Sequence, residues 1–424
     1  VKLGVQKMVI VNDFDSIKEI LCKKECLFRP RSWIFKDAGG IVSLNGKAWQ
    51  ENRRYCVKTL RELSSGKKST LEHVREEFIY LREKVAESKG QPILMRSLLL
   101  PTVANNIAAL VLGSRYDFGD PRLMELHKYI EAFVRIFSSV SPVDPLPKYL
   151  KWISTYVHCL GGGKGLKLIQ ELFKFVGREI NDRLETGKSG INRHFLEGYL
   201  AMIMQHHDKP ELNFNDRSLR GNIADLLMAG STTVATSILY ILLHCADNPG
   251  TVQVKIQKEV DRVVGCGRTP TWEDHRLMPY SMAVIWEMSR WKTILTLSLP
   301  REVDEDVFLN GYLIPKGTIV VANVWAAHFD PKYWKNPEEF DPSRFLTPNE
   351  SALLPKPECL IPFSIGKRMC PGGALATVKI FLCMTTLLQT FRVLPEGGAS
   401  FSVASDHLAD LLTQRLCFVP RIPE

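Results

Sequence analysis

Phe363-Ser-Ile-Gly366-Lys-Arg368-Met-Cys370-Pro-Gly372 is the most informative segment of this 424-residue chain. Two glycines punctuate a short loop, one cysteine stands near its end, and an apolar run with helical spacing follows from Ala374 to Leu388. A cysteine so placed sits at a helix N-terminus, where the dipole and free backbone N–H groups lower a thiol pKa and hold a thiolate. For Cys370 alone, an inert cysteine buried in a turn is the plainer account, so its neighbours have to decide.

Working outward, Leu226 to Ala246 is uncharged and long enough to suggest a membrane span. Gly230, Ser231, Thr232, Thr233, Thr236, Ser237 and His244 polarise it and Asp225 and Asp247 close it, which predicts a long helix in a folded core, lined on one side by hydroxyls. Three- and four-residue apolar spacing predicts further helices at 49–63, 70–86, 98–112, 123–137, 166–184, 193–206, 249–264 and 280–291. Short β-type runs occur at Val5 to Val11 and at Phe308 to Val321, the latter interrupted by Gly311 and Pro315-Lys316-Gly317. Ala326 to Leu360 is a long meander without periodicity. There is no internal repeat and no linker. The expectation is one domain over residues 1–424, mainly α with small β-sheets.

The hydrophobic fraction of 45% and charged fraction of 24% suit a globular protein and exclude a disordered, collagen-like or coiled-coil chain. Lys and Arg number 55 against 46 Asp and Glu, but the positive charge is scattered, with no run of five and no finger or helix-turn-helix spacing. That disfavours nucleic acid and suits a membrane surface or an acidic protein partner. Ten cysteines are too few for a disulfide scaffold, and the closest pair, Cys22 and Cys26, is not CxxC, so reduced thiols are expected.

The cysteine segment resembles the haem-binding loop FxxGxRxCxG of the cytochrome P450 family at all five fixed positions, Phe363, Gly366, Arg368, Cys370 and Gly372. Five such matches arise by chance about once in ten thousand chains of this length. The resemblance implies that Cys370 is the axial thiolate of haem b, which favours O–O cleavage. It implies that Gly366 and Gly372 let backbone approach a flat macrocycle and that Arg368 offers a forked donor to a propionate. Glu287 and Arg290 match the family's ExxR pair, and Pro342-Ser-Arg344-Phe345 its PxRF element, implying a buried network that locks the meander. Trp49 and Arg53, four apart, resemble the WxxxR helix that reaches a propionate, and Arg301 stands where a cation meets the other. The central helix reads Ala229-Gly230-Ser231-Thr232-Thr233 against (A/G)Gx(D/E)T. Gly230 is expected to leave an oxygen groove and Thr233 to donate to dioxygen, while Thr232 replaces the usual acid. Thr296, in place of proline, and Gly373, in place of glutamate, are two lesser departures.

The likeness extends from Val5 to Pro420 and is closest to the microsomal drug- and steroid-metabolising branch, through Phe28-Arg29-Pro30, Leu112 to Asp117 and Gly311 to Thr318. It implies a haem-thiolate monooxygenase that takes electrons from an NADPH-dependent flavoprotein reductase, with cytochrome b5 as a further donor. Such an enzyme splits dioxygen and oxidises a lipophilic substrate lined by residues 31–44, 222–234, 293–299 and 401–407. It implies the cytosolic face of the endoplasmic reticulum, with an anchor lying before Val1. Within Pro142 to Leu160, aromatic and apolar residues such as Tyr149, Trp152 and Tyr156 stand among Lys148 and Lys151, a mixture that suits contact with membrane lipid, with an ordinary packed loop between helices as the other reading. Lys367, Lys379, Arg54, Lys58 and Arg61 are expected to form a basic docking face. Thr232 keeps open an isomerase or dehydratase that rearranges peroxides, and a haem-bearing ligand-binding protein without catalysis is the third reading.

Overall fold

The computed structural model describes residues 2–3, 6–30, 39–64, 68–138, 162–186, 195–398 and 413–421. Pro142 to Leu160, Phe401 to His407 and residues 31–38 lie outside these. Twelve α-helices are described: α1 Phe14–Cys22, α2 Gly46–Ser64, α3 Lys68–Ala86, α4 Met95–Val111, α5 Pro121–Ser138 and α6 Gly162–Thr186. They continue with α7 Leu196–Gln205, α8 Asp216–Asp247, α9 Val254–Val263, α10 Pro279–Trp291, α11 Val324–Phe329 and α12 Gly373–Thr390. The mainly α architecture is as expected.

Helix α8 is the axis of the molecule. It begins ten residues before the apolar run does, because the Asn215 side chain accepts the Ser218 N–H and caps a first turn whose charged residues read as a flank in the sequence. It ends at Asn248, ahead of Pro249. Its flanks pack against α4 above all, then α12 and α6, so it is buried on most sides. Both α8 and α12 are long and apolar enough to cross a membrane, and both are largely buried inside the protein, as a core helix is.

The expected helix at 249–264 divides into a π-helical turn, Pro249–Gln253, and α9. Gln253 supplies the reason: its carboxamide donates to the Cys245 and Val393 carbonyls and accepts the Val393 N–H, tying the turn to a strand. That strand, β7 Phe391–Pro395, pairs antiparallel with β8 Leu416–Pro420, a two-stranded sheet that the sequence does not announce. The other sheet has the order β1 (Lys2–Leu3), β2 (Gln6–Val11), β6 (Ile319–Ala322), β3 (Arg301–Glu302), with β2 and β6 parallel from Met8↔Ile319 to Val11↔Ala322. Between β3 and β6, β4 Val307–Leu309 and β5 Tyr312–Ile314 form a hairpin. Its turn residues Asn310 and Gly311 have φ of +50° and +78°. One buried apolar cluster runs from Val11 to Phe418. The nine cysteines among the described residues are all free thiols.

Candidate functional site

The cysteine loop is folded back on itself by its own backbone. Ser364 donates to the Ile361 carbonyl (2.9 Å), Met369 to Gly366 (3.0 Å) and Cys370 to Phe363 (2.9 Å), which places Cys370 two residues ahead of Gly372, the N-cap of α12. Gly366 has φ +75°, and a Cβ there would collide with the Leu21 carbonyl oxygen of α1. Its freedom therefore serves packing of the loop on α1. An added Cβ at Gly372 would meet no protein atom nearer than the Cys370 Sγ at 4.0 Å, so the space beside this glycine is open on the side of the sulfur. The departure at Gly373 has a local cause: a Cβ would stand 3.0 Å from the Phe363 ring, which closes the loop.

Burial pushes the Cys370 thiol above its ordinary range, opposed by the Gly372 and Gly373 N–H groups and by the Arg53 cation. The same side chain is exposed. Helix α8 also carries exposed positions: between Ser218 and Ala246 only Ala229 and Thr233, one turn apart, are exposed. Ile294, Leu295 and Leu297, after α10, are exposed apolar residues as well.

The hydroxyls of Ser231, Thr232, Thr233 and Ser237 donate to the carbonyls four residues before them, at 2.6, 2.8, 2.8 and 2.9 Å. Such back-bonding weakens and bends a helix locally. Thr233 is exposed and free to re-aim its proton, whereas Thr232 is half-buried. Gly230 differs from expectation. The place of its missing side chain is filled by Ile107 of α4, whose Cδ1 would lie 2.8 Å from an added Cβ, so no groove is left there for dioxygen. The glycine lets two helices approach.

Trp49, Arg53, Arg301 and Arg368 are brought together as expected, with Arg29 among them. Arg368 stacks on the Trp49 ring, its guanidinium 3.9 Å from the centroid, and Arg53 lies 5.9 Å from the same ring. Burial lowers the basicity of all four arginines, and repulsion from the others in the group lowers that of Arg29, Arg301 and Arg368 further. Arg368 falls to about 7 and Arg301 to about 10. Arg368 is not the forked donor it was expected to be: four of its five N–H groups are committed to the carbonyls of Leu27, Ile41 and Leu44 and to Asn45 Oδ1, because a buried guanidinium takes whatever acceptors the chain folds around it. Two further donors lie in the same group of residues: Trp49 Nε1 and Arg301 Nε are buried without a partner. Arg29 and Asn45 were not foreseen as parts of this site. Arg29 donates to the Val42, Leu299 and Pro300 carbonyls, and Asn45 Oδ1 accepts from both the Arg29 backbone and Arg368. The Phe28-Arg29-Pro30 triplet carried that signal.

Beneath the loop, Glu287 and Arg290 form the expected pair, Nε to Oε2 at 2.8 Å and Nη2 to Oε1 at 2.7 Å, with Arg344 Nε on Oε1 at 3.1 Å. Arg290 also donates to the carbonyls of His328, Pro337 and Glu339, and Asp341 N–H donates to Glu287. The unperiodic meander is thus held by charge-assisted bonds to one buried ion pair.

Crowded, mutually repelling cations with two orphaned N–H donors call for an anionic guest, and an accessible thiol at a helix start suits a metal. A planar dicarboxylate macrocycle carrying iron fits both. The cytochrome P450 family model matches residues 1–413. The chain is 33% identical to human cytochrome P450 2J2 over 99% of its own length and 84% of that protein's, and 32% identical to human cytochrome P450 2U1 over 97% and 75%. It is 31% identical to gorilla cytochrome P450 2F5 over 94% and 81%. The chain belongs to the cytochrome P450 family and is a haem-thiolate monooxygenase, with haem b as its cofactor and dioxygen and lipophilic organic molecules as its substrates.

Proposed function

We propose that Cys370 is the iron ligand, that Trp49, Arg53 and Arg301 hold the haem propionates with Arg368 and Arg29 as the fixed positive frame behind them, and that Thr233 supplies the proton on the dioxygen side. The observation that carries this is the placement of Cys370, an accessible sulfur just before the start of α12 with the Gly372 and Gly373 backbone N–H groups beside it. A thiolate ligand gives haem iron the electron density that favours O–O cleavage. What the chain adds is orientation: a ligand loop pinned by α1, donors for two carboxylates, a hydroxyl at Thr233 and apolar walls at Ala229, Ile294, Leu295 and Leu297. Those walls support a lipophilic substrate that is held by shape. Replacing Cys370 by His is the test. The ferrous carbon-monoxide complex should lose the strongly red-shifted Soret band of thiolate ligation; retention of that band overturns the assignment.

The single domain over residues 1–424 is supported by the continuous core. Electrons come from an NADPH-dependent flavoprotein reductase docking on a groove of about 600 Å³ lined by Arg53, Arg54, Lys58, Arg61 and Lys367, with Glu62 as its one acid. Lys379, expected on that face, is fully buried and takes no part. Charge reversal at Lys58 and Lys367 should slow haem reduction, with a deficit that shrinks as salt rises. Likeness to the microsomal branch supports attachment to the endoplasmic reticulum membrane with this body on the cytosolic side, checked by fractionating the full-length protein and probing its protease sensitivity in intact microsomes.

A further inference from the structure

Three hydrogen bonds converge on one histidine below the cysteine loop. His328, in α11, is fully buried. Its Nε2 lies 2.9 Å from the Ile361 backbone nitrogen and must accept that N–H, which makes the ring neutral and puts its proton on Nδ1. Nδ1 lies 2.7 Å from Thr293 Oγ1, so it donates there, and the threonine hydroxyl passes its own proton to the Arg290 carbonyl at 2.8 Å. The His328 carbonyl in turn accepts from Arg290 Nη1 at 2.9 Å. Burial, then the nearby Arg290 and Lys356 cations, lower the basicity of the ring to about 3, in keeping with a neutral acceptor.

Ile361 is where the cysteine loop begins. Its carbonyl accepts the Ser364 N–H, and the fold-back from Phe363 to Cys370 is built on that turn. Resting on the reading of Cys370 as ligand, we propose that His328 is a positioning residue that carries the register of the Glu287–Arg290 pair into the cysteine loop. It does so through Thr293 on one ring nitrogen and the Ile361 N–H on the other. Without it a buried N–H is orphaned at the root of the loop, and the sulfur is no longer held in one place.

The two ring nitrogens can be replaced separately. In His328→Gln the side-chain oxygen reaches the place of Nε2 and keeps an acceptor for Ile361; in His328→Asn it reaches only as far as Nδ1. Thr293→Val removes the other end of the relay. Backbone acceptance from Arg290 survives in all three. Hydrogen exchange of the Ile361 amide in the haem-loaded protein is the first readout, with the buried Val393 amide, held by Gln253, as an internal reference. His328→Asn should speed exchange at Ile361 by about 10- to 100-fold while leaving Val393 unchanged. It should also convert part of the ferrous carbon-monoxide complex to the blue-shifted form that lacks thiolate. Gln should restore both, and Thr293→Val should show a weaker version of the Asn result. Equal acceleration at Ile361 and Val393, or a Gln variant no better than Asn, overturns the proposal, since either means that the histidine only fills space. Loss of the thiolate band in His328→Asn with Ile361 exchange unchanged also overturns it. Exchange at Ile361 does not depend on which residue binds iron, so the ligand assignment stands or falls separately on Cys370→His.

Discussion

Lys379 lies in the middle of α12 with no accessible surface, and its ammonium nitrogen has no hydrogen-bond partner. Burial lowers its pKa from 10.5 to about 7. Replacing it by methionine keeps the length and volume of the side chain and removes the group that resists burial. The unfolded lysine holds its proton up to about pH 10.5 and the folded one only up to about pH 7. In between, the unfolded chain binds more protons, and stability rises with pH. Below about pH 7 both forms are charged and the full penalty is present; above about pH 10.5 it is gone. At 1.36 kcal/mol per pKa unit the ceiling is about 5 kcal/mol, and relaxation around the amine brings the expectation to about 2–3 kcal/mol at pH 7. With an unfolding entropy of about 0.9 kcal/mol/K for 424 residues, Lys379→Met should raise Tm by roughly 3 °C at pH 7. By pH 9.5 the gain should shrink to under about 1 °C. Thermal unfolding of the haem-loaded protein at one scan rate and two pH values measures both. A gain of the same size at both pH values, or a loss at pH 7, would refute the reasoning and mean that the amine is solvated by buried water.

Thr233→Ala should leave haem content and substrate-induced spectral shifts intact while diverting reducing equivalents to hydrogen peroxide. Thr232→Glu should raise product per NADPH consumed, and no change in either variant would remove α8 from proton delivery. Glu287→Gln leaves Arg290 charged and half-unpaired at zero exposure, so a cost of about 3–5 kcal/mol should appear as poor recovery of haem-loaded protein; normal yield and Tm would count against the network. Burial raises the Asp225 carboxyl to about 7, against the Val42 N–H that donates to it and the Arg29 charge. Folding therefore takes up a proton between about pH 4 and 7, and stability falls as pH rises through that window. Asp225→Asn keeps the acceptor and should flatten that dependence, measured by denaturant midpoints at pH 5 and 7.5.

What could be read from the sequence was whatever a fixed spacing encodes. Phe363, Gly366, Arg368, Cys370 and Gly372 are local to one loop, and Glu287 and Arg290 are one turn apart, so both signals survive without a structure. What could not be read was which partner a side chain finds across the fold. Gly230 has the right spacing from Thr233, but its missing side chain is filled by Ile107, more than a hundred residues earlier. Arg368 occupies its motif position, yet its donors go to carbonyls at Leu27, Ile41 and Leu44, which no local pattern connects to it. Arg29 and His328 belong to the same class: each works through backbone groups, and backbone groups carry no sequence signature.

Lys379 fails for a different reason. A surface helix shows its inner face by periodicity, but Leu375, Val378, Ile380, Phe381, Leu382, Cys383 and Met384 are buried all round α12. A helix enclosed on every side has no polar stripe against which to measure one lysine. The default that lysines are solvated then stands unopposed in the sequence, and it is wrong wherever a helix packs against neighbours on every side, as α12 does against α3, α8, α9 and α2. Charges inside helices that are apolar all round are therefore the positions where a docking face read from sequence needs a structure first.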